Sequence, residues 1–232
     1  MGAFPETAMA AVYAWLAAAF GLMITVFHHR RLAARLPDDR AYRLYFLLFF
    51  GLFMAVPLLL IAALAPDPAG FLAAAGLSAG DTRRGLLLLA AGTPLALLAA
   101  FIGSRDPAVQ GQYPFSKRVC ASGRAFAAYE VSYIFLYYIP WEFLFRGLLF
   151  FPLVGTIGLV PALAVQTALS TIYHFGHPDT EVFAALGAGF LFGWVASVTG
   201  SVLYTAVLHA LVGVGTDVLL YRRLRRRPAG AA

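Results

Sequence analysis

Seven stretches of this chain are apolar for roughly 20 residues each, the length at which an α-helix crosses a ~30 Å hydrocarbon layer. They are Ala8–Phe27, Leu44–Ala65, Gly85–Gly103, Phe126–Phe151, Ile157–Tyr173, Val182–Thr199 and Ser201–Tyr221. Inside a bilayer no water meets the backbone amides, so each run must satisfy its own hydrogen bonds as a helix. The expected fold class is all-α, a polytopic transmembrane helical bundle of about seven spans. Composition agrees, because 61% of the 232 residues are hydrophobic and only 12% are charged, outside the usage of water-soluble domains. The first run lacks the basic flank that precedes a cleaved leader and is expected to be retained.

Charge then sets the topology. Arg30, Arg31, Arg35, Arg40 and Arg43 follow the first span, Arg105, Lys117, Arg118 and Arg124 follow the third, and Arg222, Arg223, Arg225, Arg226 and Arg227 end the chain. With seven spans these 14 of the 17 basic residues fall on one side, and only Arg83 and Arg84 fall in a loop on the other. The positive-inside rule predicts the N-terminus outside and the C-terminus in the cytoplasm, and the expected location is a bacterial inner membrane. The net charge of +6 is accounted for by topology, so the expected partners are the lipid bilayer and a membrane-associated protein or peptide, with no nucleic acid. Cys120 is the single cysteine, which leaves no disulfide within the chain. Residues 66–84 mix turn formers with small apolar residues and are expected to hold a short interfacial helix.

Against this background the ionisable residues of the later spans stand out: Glu130, Glu142, Arg146, His174, His177, His209 and Asp217. A charge at bilayer depth costs roughly 2.5–3.5 kcal/mol on insertion scales, so such groups face a bundle interior or a wet cavity. In WEFLFRG, Glu142 and Arg146 are four residues apart, on one helical face and able to pair. Pro140 removes a backbone donor just before them and is expected to kink the span. In STIYHFGHPDTE, His174 and His177 close the fifth span, and Gly176 and Pro178 end the helix there. His209 lies well inside the seventh span, with Asp217 two turns later and Gly213 and Gly215 between. The aromatic residues of the fourth span, Tyr129, Tyr133, Phe135, Tyr137, Tyr138, Trp141, Phe143 and Phe145, are expected to face lipid or to fill packing space.

Each group has a bland reading as a packing ion pair or an interfacial histidine. Together they suggest a carboxylate and imidazoles from separate spans meeting at one hydrated site. Such a set holds and deprotonates water and returns the proton to a leaving amine. The same residues could instead form a His₂Glu zinc site, although no cofactor is required by the sequence.

The order of motifs resembles the CPBP family, the CAAX-protease and bacteriocin-processing intramembrane proteases related to the eukaryotic prenyl-protein endopeptidase. That family's pattern is EExxxR, then FxxxH, then HxxxN or a variant, and the resemblance spans residues 126–220. Glu142 and Arg146 match the first motif, but Trp141 stands where the leading glutamate belongs. His174 matches the second motif by its place in HFGHPDTE, with His177 as the close alternative. His209 matches the third, with Gly213 where asparagine is expected.

The resemblance implies a membrane-embedded peptidase of the glutamic type, acting near the membrane face on a lipidated tail, a membrane-bound segment or a leader. It also implies roles: Glu142 as general base, His174 holding water with it, His209 at the oxyanion and Arg146 anchoring the glutamate. Residues 1–125 carry no diagnostic motif, 126–221 form the expected catalytic core, and 222–232 a basic tail. The departures at Trp141 and Gly213 keep open a catalytically impaired membrane scaffold or chaperone. A proton-coupled transporter is a further alternative, since intramembrane Glu, Arg and His also build proton relays.

Overall fold

The computed structural model describes residues 4–226, so Arg227 and the rest of the basic tail lie outside the described residues. Ten helices form a bundle: α1 Glu6–Thr25, α2 His29–Arg35, α3 Asp38–Leu64, α4 Pro68–Ala74, α5 Thr82–Gly103, α6 Pro107–Gln112, α7 Gly123–Ile157, α8 Leu159–Tyr173, α9 Asp179–Thr199 and α10 Leu203–Arg226. Six of them, α1, α3, α5, α7, α9 and α10, are long and apolar enough to cross a membrane.

The fifth expected span, α8, has 15 residues, about 22 Å at 1.5 Å per residue, and is too short to cross alone. Gly158 explains its start: with φ 86° it takes a conformation open mainly to glycine, which ends α7 and begins α8. His174 and the Gly176 turn close it at the other end. The expected interfacial segment contains α4, whose first turn is capped by Asp67 accepting from the Gly70 amide at 2.9 Å.

Helix α7 is the axis of the bundle. Its apolar window is 72% buried, against 17% to 39% in the other five long helices. Its aromatic residues fill space between helices: Phe46 stacks on Tyr133 at 4.8 Å between ring centroids, and Phe49 meets Tyr137 at 4.4 Å and Trp141 at 5.9 Å. Of the eight aromatic residues named above, only Phe135 is exposed, so the packing role holds for seven and the lipid-facing role for one.

The kink expected at Pro140 takes a different form. Two π-helical stretches, Ile134–Tyr138 and Phe143–Leu148, flank the α-helical Ile139–Glu142. Such widened turns are frequent at functional sites, and here they redistribute the backbone bonds around a residue that has no amide hydrogen.

Loop contacts place the basic segments on one face. Ser116 bonds Asp38 at 2.7 Å, Thr180 bonds Asp106 at 2.5 Å, and Arg223 reaches the Ser104 carbonyl at 2.6 Å. At the other end the 76–81 loop meets the α9–α10 turn, where Ser201 bonds the Ser78 carbonyl at 2.6 Å and Tyr204 that of Ala79 at 2.7 Å. Cysteines placed at exposed Arg118 and Arg84, in a Cys120→Ser background, should therefore react with an impermeant thiol reagent from opposite sides of a sealed vesicle, position 118 from the cytoplasmic side. Labelling of both from one side would contradict the topology.

Candidate active site

Glu142 lies on α7 with no exposed surface, and its Oε1 is shared by two donors. The Arg146 guanidinium, one turn on, is 3.2 Å away, and His209 Nδ1 on α10 is 2.7 Å away. Since a carboxylate only accepts, the Nδ1 of His209 carries the hydrogen and donates. Glutamate thereby fixes the ring's tautomer and turns Nε2 away from itself, as outer carboxylates do for imidazoles elsewhere. His209 is also the opening of this cluster, with 19% of its side chain exposed against none for Glu142. Arg146 is held further by the Phe192 ring, 5.5 Å from its guanidinium carbon.

His174 and His177 stand in a second cluster, at the end of the bundle that carries the basic loops. His174 Nδ1 is 2.7 Å from the Ser170 carbonyl, which can only accept, so this nitrogen donates and Nε2 is the bare one. That Nε2 faces Glu181 Oε1 at 3.9 Å. The same glutamate oxygen accepts from the Tyr113 hydroxyl at 2.8 Å and from His177 Nδ1 at 2.9 Å.

The turn between α8 and α9 makes this possible. Gly176, with φ 95°, reverses the chain so that the end of one helix faces the first turn of the next. His29, from the α1–α2 junction, packs on His177 at 5.0 Å between centroids. A cavity of about 290 Å³ opens beside them, lined in part by His28, His29, Arg31, Tyr45 and His177.

Trp141 separates the two clusters. Its indole is 4.8 Å from the His174 ring and 5.8 Å from the His209 ring, and the residue is 1% exposed. Glu142 and His209 are thus in direct contact as expected, whereas His174 makes no hydrogen bond or ion pair with either and approaches them only across the indole. A His₂Glu arrangement from Glu142, His174 and His209 is not assembled, and among the described residues no three His, Cys, Asp or Glu side chains are grouped to hold a metal ion. Glu130 and Asp217 are buried with all four carboxylate oxygens unpartnered, and neither bonds to Glu142, Arg146 or His209. Gly213 has its own reason to be glycine: a Cβ there would collide with the Tyr138 hydroxyl, so an aromatic from α7 fills the place of a side chain from α10.

Burial works on the groups outside the spans in one direction. It pushes the His174 imidazole down to about 4, with Glu181 opposing, and it also lowers His28 and His29, with His177 adding to the effect. The Tyr113 hydroxyl is raised well above its ordinary value, again by burial first and Glu181 second, so it remains a donor. Near neutral pH the histidines around this turn are bases.

The site missed Glu181, Tyr113, His28 and His29 when read from sequence. Glu181 had a signal, since it lies four residues after His177 in a first helical turn. Tyr113 and the α1–α2 histidines had none, because only tertiary packing brings them there.

The fold and these pairs define the class: a polytopic helical membrane protein that keeps carboxylate–imidazole pairs in its interior. Residues 123–214 match the family model described as type II CAAX prenyl endopeptidase Rce1-like, and this part of the chain belongs to the CPBP/CAAX protease family. The region contains Glu142, Arg146, His174, His177 and His209. No curated protein and no solved structure matches the chain.

The His174 arrangement has a direct readout. In ¹⁵N spectra of protein in nanodiscs, its Nδ1 should be protonated and Nε2 bare from pH 7 down to about 5, with protonation near 4. Because the folded value lies below the ordinary 6.5, the native state should lose this part of its stability as pH falls through that window, when the unfolded chain takes up the proton first. Titration near 6.5 would contradict the assignment.

Proposed function

We propose that this protein is an intramembrane endopeptidase that hydrolyses a peptide bond near the membrane face of a lipidated or membrane-bound protein tail or leader, using water activated by glutamate and histidine. The Rce1-like match over residues 123–214 supports the protease class. The observation that carries the chemistry is the sharing of Glu142 Oε1 by Arg146 and His209, at 3.2 and 2.7 Å. An ion cluster built only for packing would not need to leave an imidazole nitrogen facing outward from it.

In this reading His209 is oriented by Glu142 and presents Nε2 to the carbonyl oxygen or leaving nitrogen of the substrate. Arg146 balances the glutamate, so the charge is not left unpaired in the bundle. His174 is the base on the other side of Trp141, and His177 fixes the carboxylate that faces it. Positioned acid–base groups of this kind contribute about 10²–10⁴-fold each. Tyr138, whose hydroxyl fills the space at Gly213 and whose ring lies 4.8 Å from His209, is placed to donate toward a developing oxyanion. Such a donor is worth roughly 2.7–4 kcal/mol in hydrolases.

A second reading draws on Trp141. An indole where the family motif has its leading glutamate favours a relative that has lost catalysis and binds membrane protein tails as a scaffold.

One experiment separates them. Purified protein in nanodiscs is incubated with a prenylated C-terminal tail peptide and with its unmodified counterpart, and fragments are read by mass spectrometry for wild type, Glu142→Gln and His209→Ala. The peptidase reading expects cleavage that falls by about 10²-fold or more in both variants. Intact peptide with wild-type protein, bound without turnover, would leave the scaffold.

A further inference from the structure

We infer that Glu181, on the first turn of α9, is a catalytic residue: with His174 it holds the water that attacks the peptide bond, doing the work that the family motif gives to a carboxylate at the position of Trp141. This inference rests on the peptidase reading above and adds to it a residue and a place for the nucleophile.

The geometry carries the argument. His174 Nε2 is bare because the Ser170 carbonyl takes the hydrogen of Nδ1. Glu181 Oε1 is 3.9 Å away, too far for a direct bond and facing it with nothing but acceptor character. Two acceptors at that separation repel unless a donor with two hydrogens sits between them, and water is such a donor, within hydrogen-bond reach of both. With its hydrogens directed at Oε1 and Nε2, the water turns its lone pairs outward.

Glu142 is poorly suited to that task. It has no exposed surface and its Oε1 is taken by two donors, whereas Glu181 is 25% exposed on its side chain and His174 12%. Water reaches the Glu181 pair and not the Glu142 pair. Trp141 supplies the reason a second carboxylate is needed. Its indole packs on the His174 ring at 4.8 Å, so the volume in which a glutamate at 141 would meet His174 is already filled. The carboxylate arrives from the opposite helix, fixed by Tyr113 and His177 at 2.8 and 2.9 Å, which hold Oε1 in place.

The step balances without any further reagent. The water oxygen forms a bond to the scissile carbonyl carbon while one water hydrogen passes to His174 Nε2, and the carbonyl electrons move onto oxygen. The imidazolium, facing Glu181, then gives that proton to the leaving nitrogen as the C–N bond breaks. One water is consumed, and a carboxyl terminus and an amine are released.

The test is Glu181→Gln, with Glu181→Asp beside it, in the nanodisc assay with the prenylated tail peptide. Gln keeps an acceptor oxygen for Tyr113 and His177, so the melting temperature should match wild type. The expected result is a kcat lower by 10²-fold or more with KM unchanged, and partial recovery in Glu181→Asp. Wild-type kcat in a folded Glu181→Gln protein would overturn this inference and leave the peptidase reading intact. A loss confined to KM, or one that tracks unfolding, would also overturn it by reducing Glu181 to a structural role. A wild-type protein that cleaves nothing would overturn the peptidase reading, and this inference would fall with it.

Discussion

One carboxylate oxygen, Glu142 Oε1, reconciles two charges with an apolar bundle. Alone at bilayer depth, a glutamate and an arginine would each cost roughly 2.5–3.5 kcal/mol on insertion scales. Paired at 3.2 Å on adjacent turns of α7, they offset one another, and His209 reaches in from α10 to use the same oxygen. Breaking such a buried set by deleting one member typically costs 3–5 kcal/mol, because the survivor is left uncompensated. The contact also ties α7 to α10, so the local charge problem and the packing of the bundle have one solution.

Trp141 gives the interior its second organising feature. A tryptophan is large enough to touch both His174 and His209, and it divides what could have been one chamber into two glutamate–imidazole pairs. On one side, Glu142 orients His209 in a dry setting. On the other, Glu181, Tyr113 and His177 surround His174 where the α8–α9 turn opens toward the basic face. The short α8 matters here, since a helix of 15 residues ends inside the thickness of the bundle and sets His174 below the loops.

The bundle was legible because its cause is local. Apolar runs of bilayer length leave a chain little choice, and the spacing of Glu142 and Arg146 on one helical face led directly to their pairing. Gly158 and Gly176 were visible as helix breakers, but their positive φ angles, which shorten α8, follow from tertiary packing. The contact between Glu142 and His209 could be expected from motif order. The displacement of His174 could not, because it depends on how far an indole reaches in three dimensions. Tyr113, His28 and His29 come from loops and helix ends whose sequences carry no periodic signal, and Gly213 gave no hint that Tyr138 would fill its place.

If the two pairs serve one bond, their contributions must be linked. The most direct measurement is single-turnover cleavage of a membrane-tail peptide by His174→Gln, His209→Gln and the double variant. The account predicts a loss of about 10²-fold or more in each single variant and a double variant little worse than the weaker single, as for residues that act as a unit. Losses that simply multiply, or a His174→Gln protein with the wild-type rate, would contradict it.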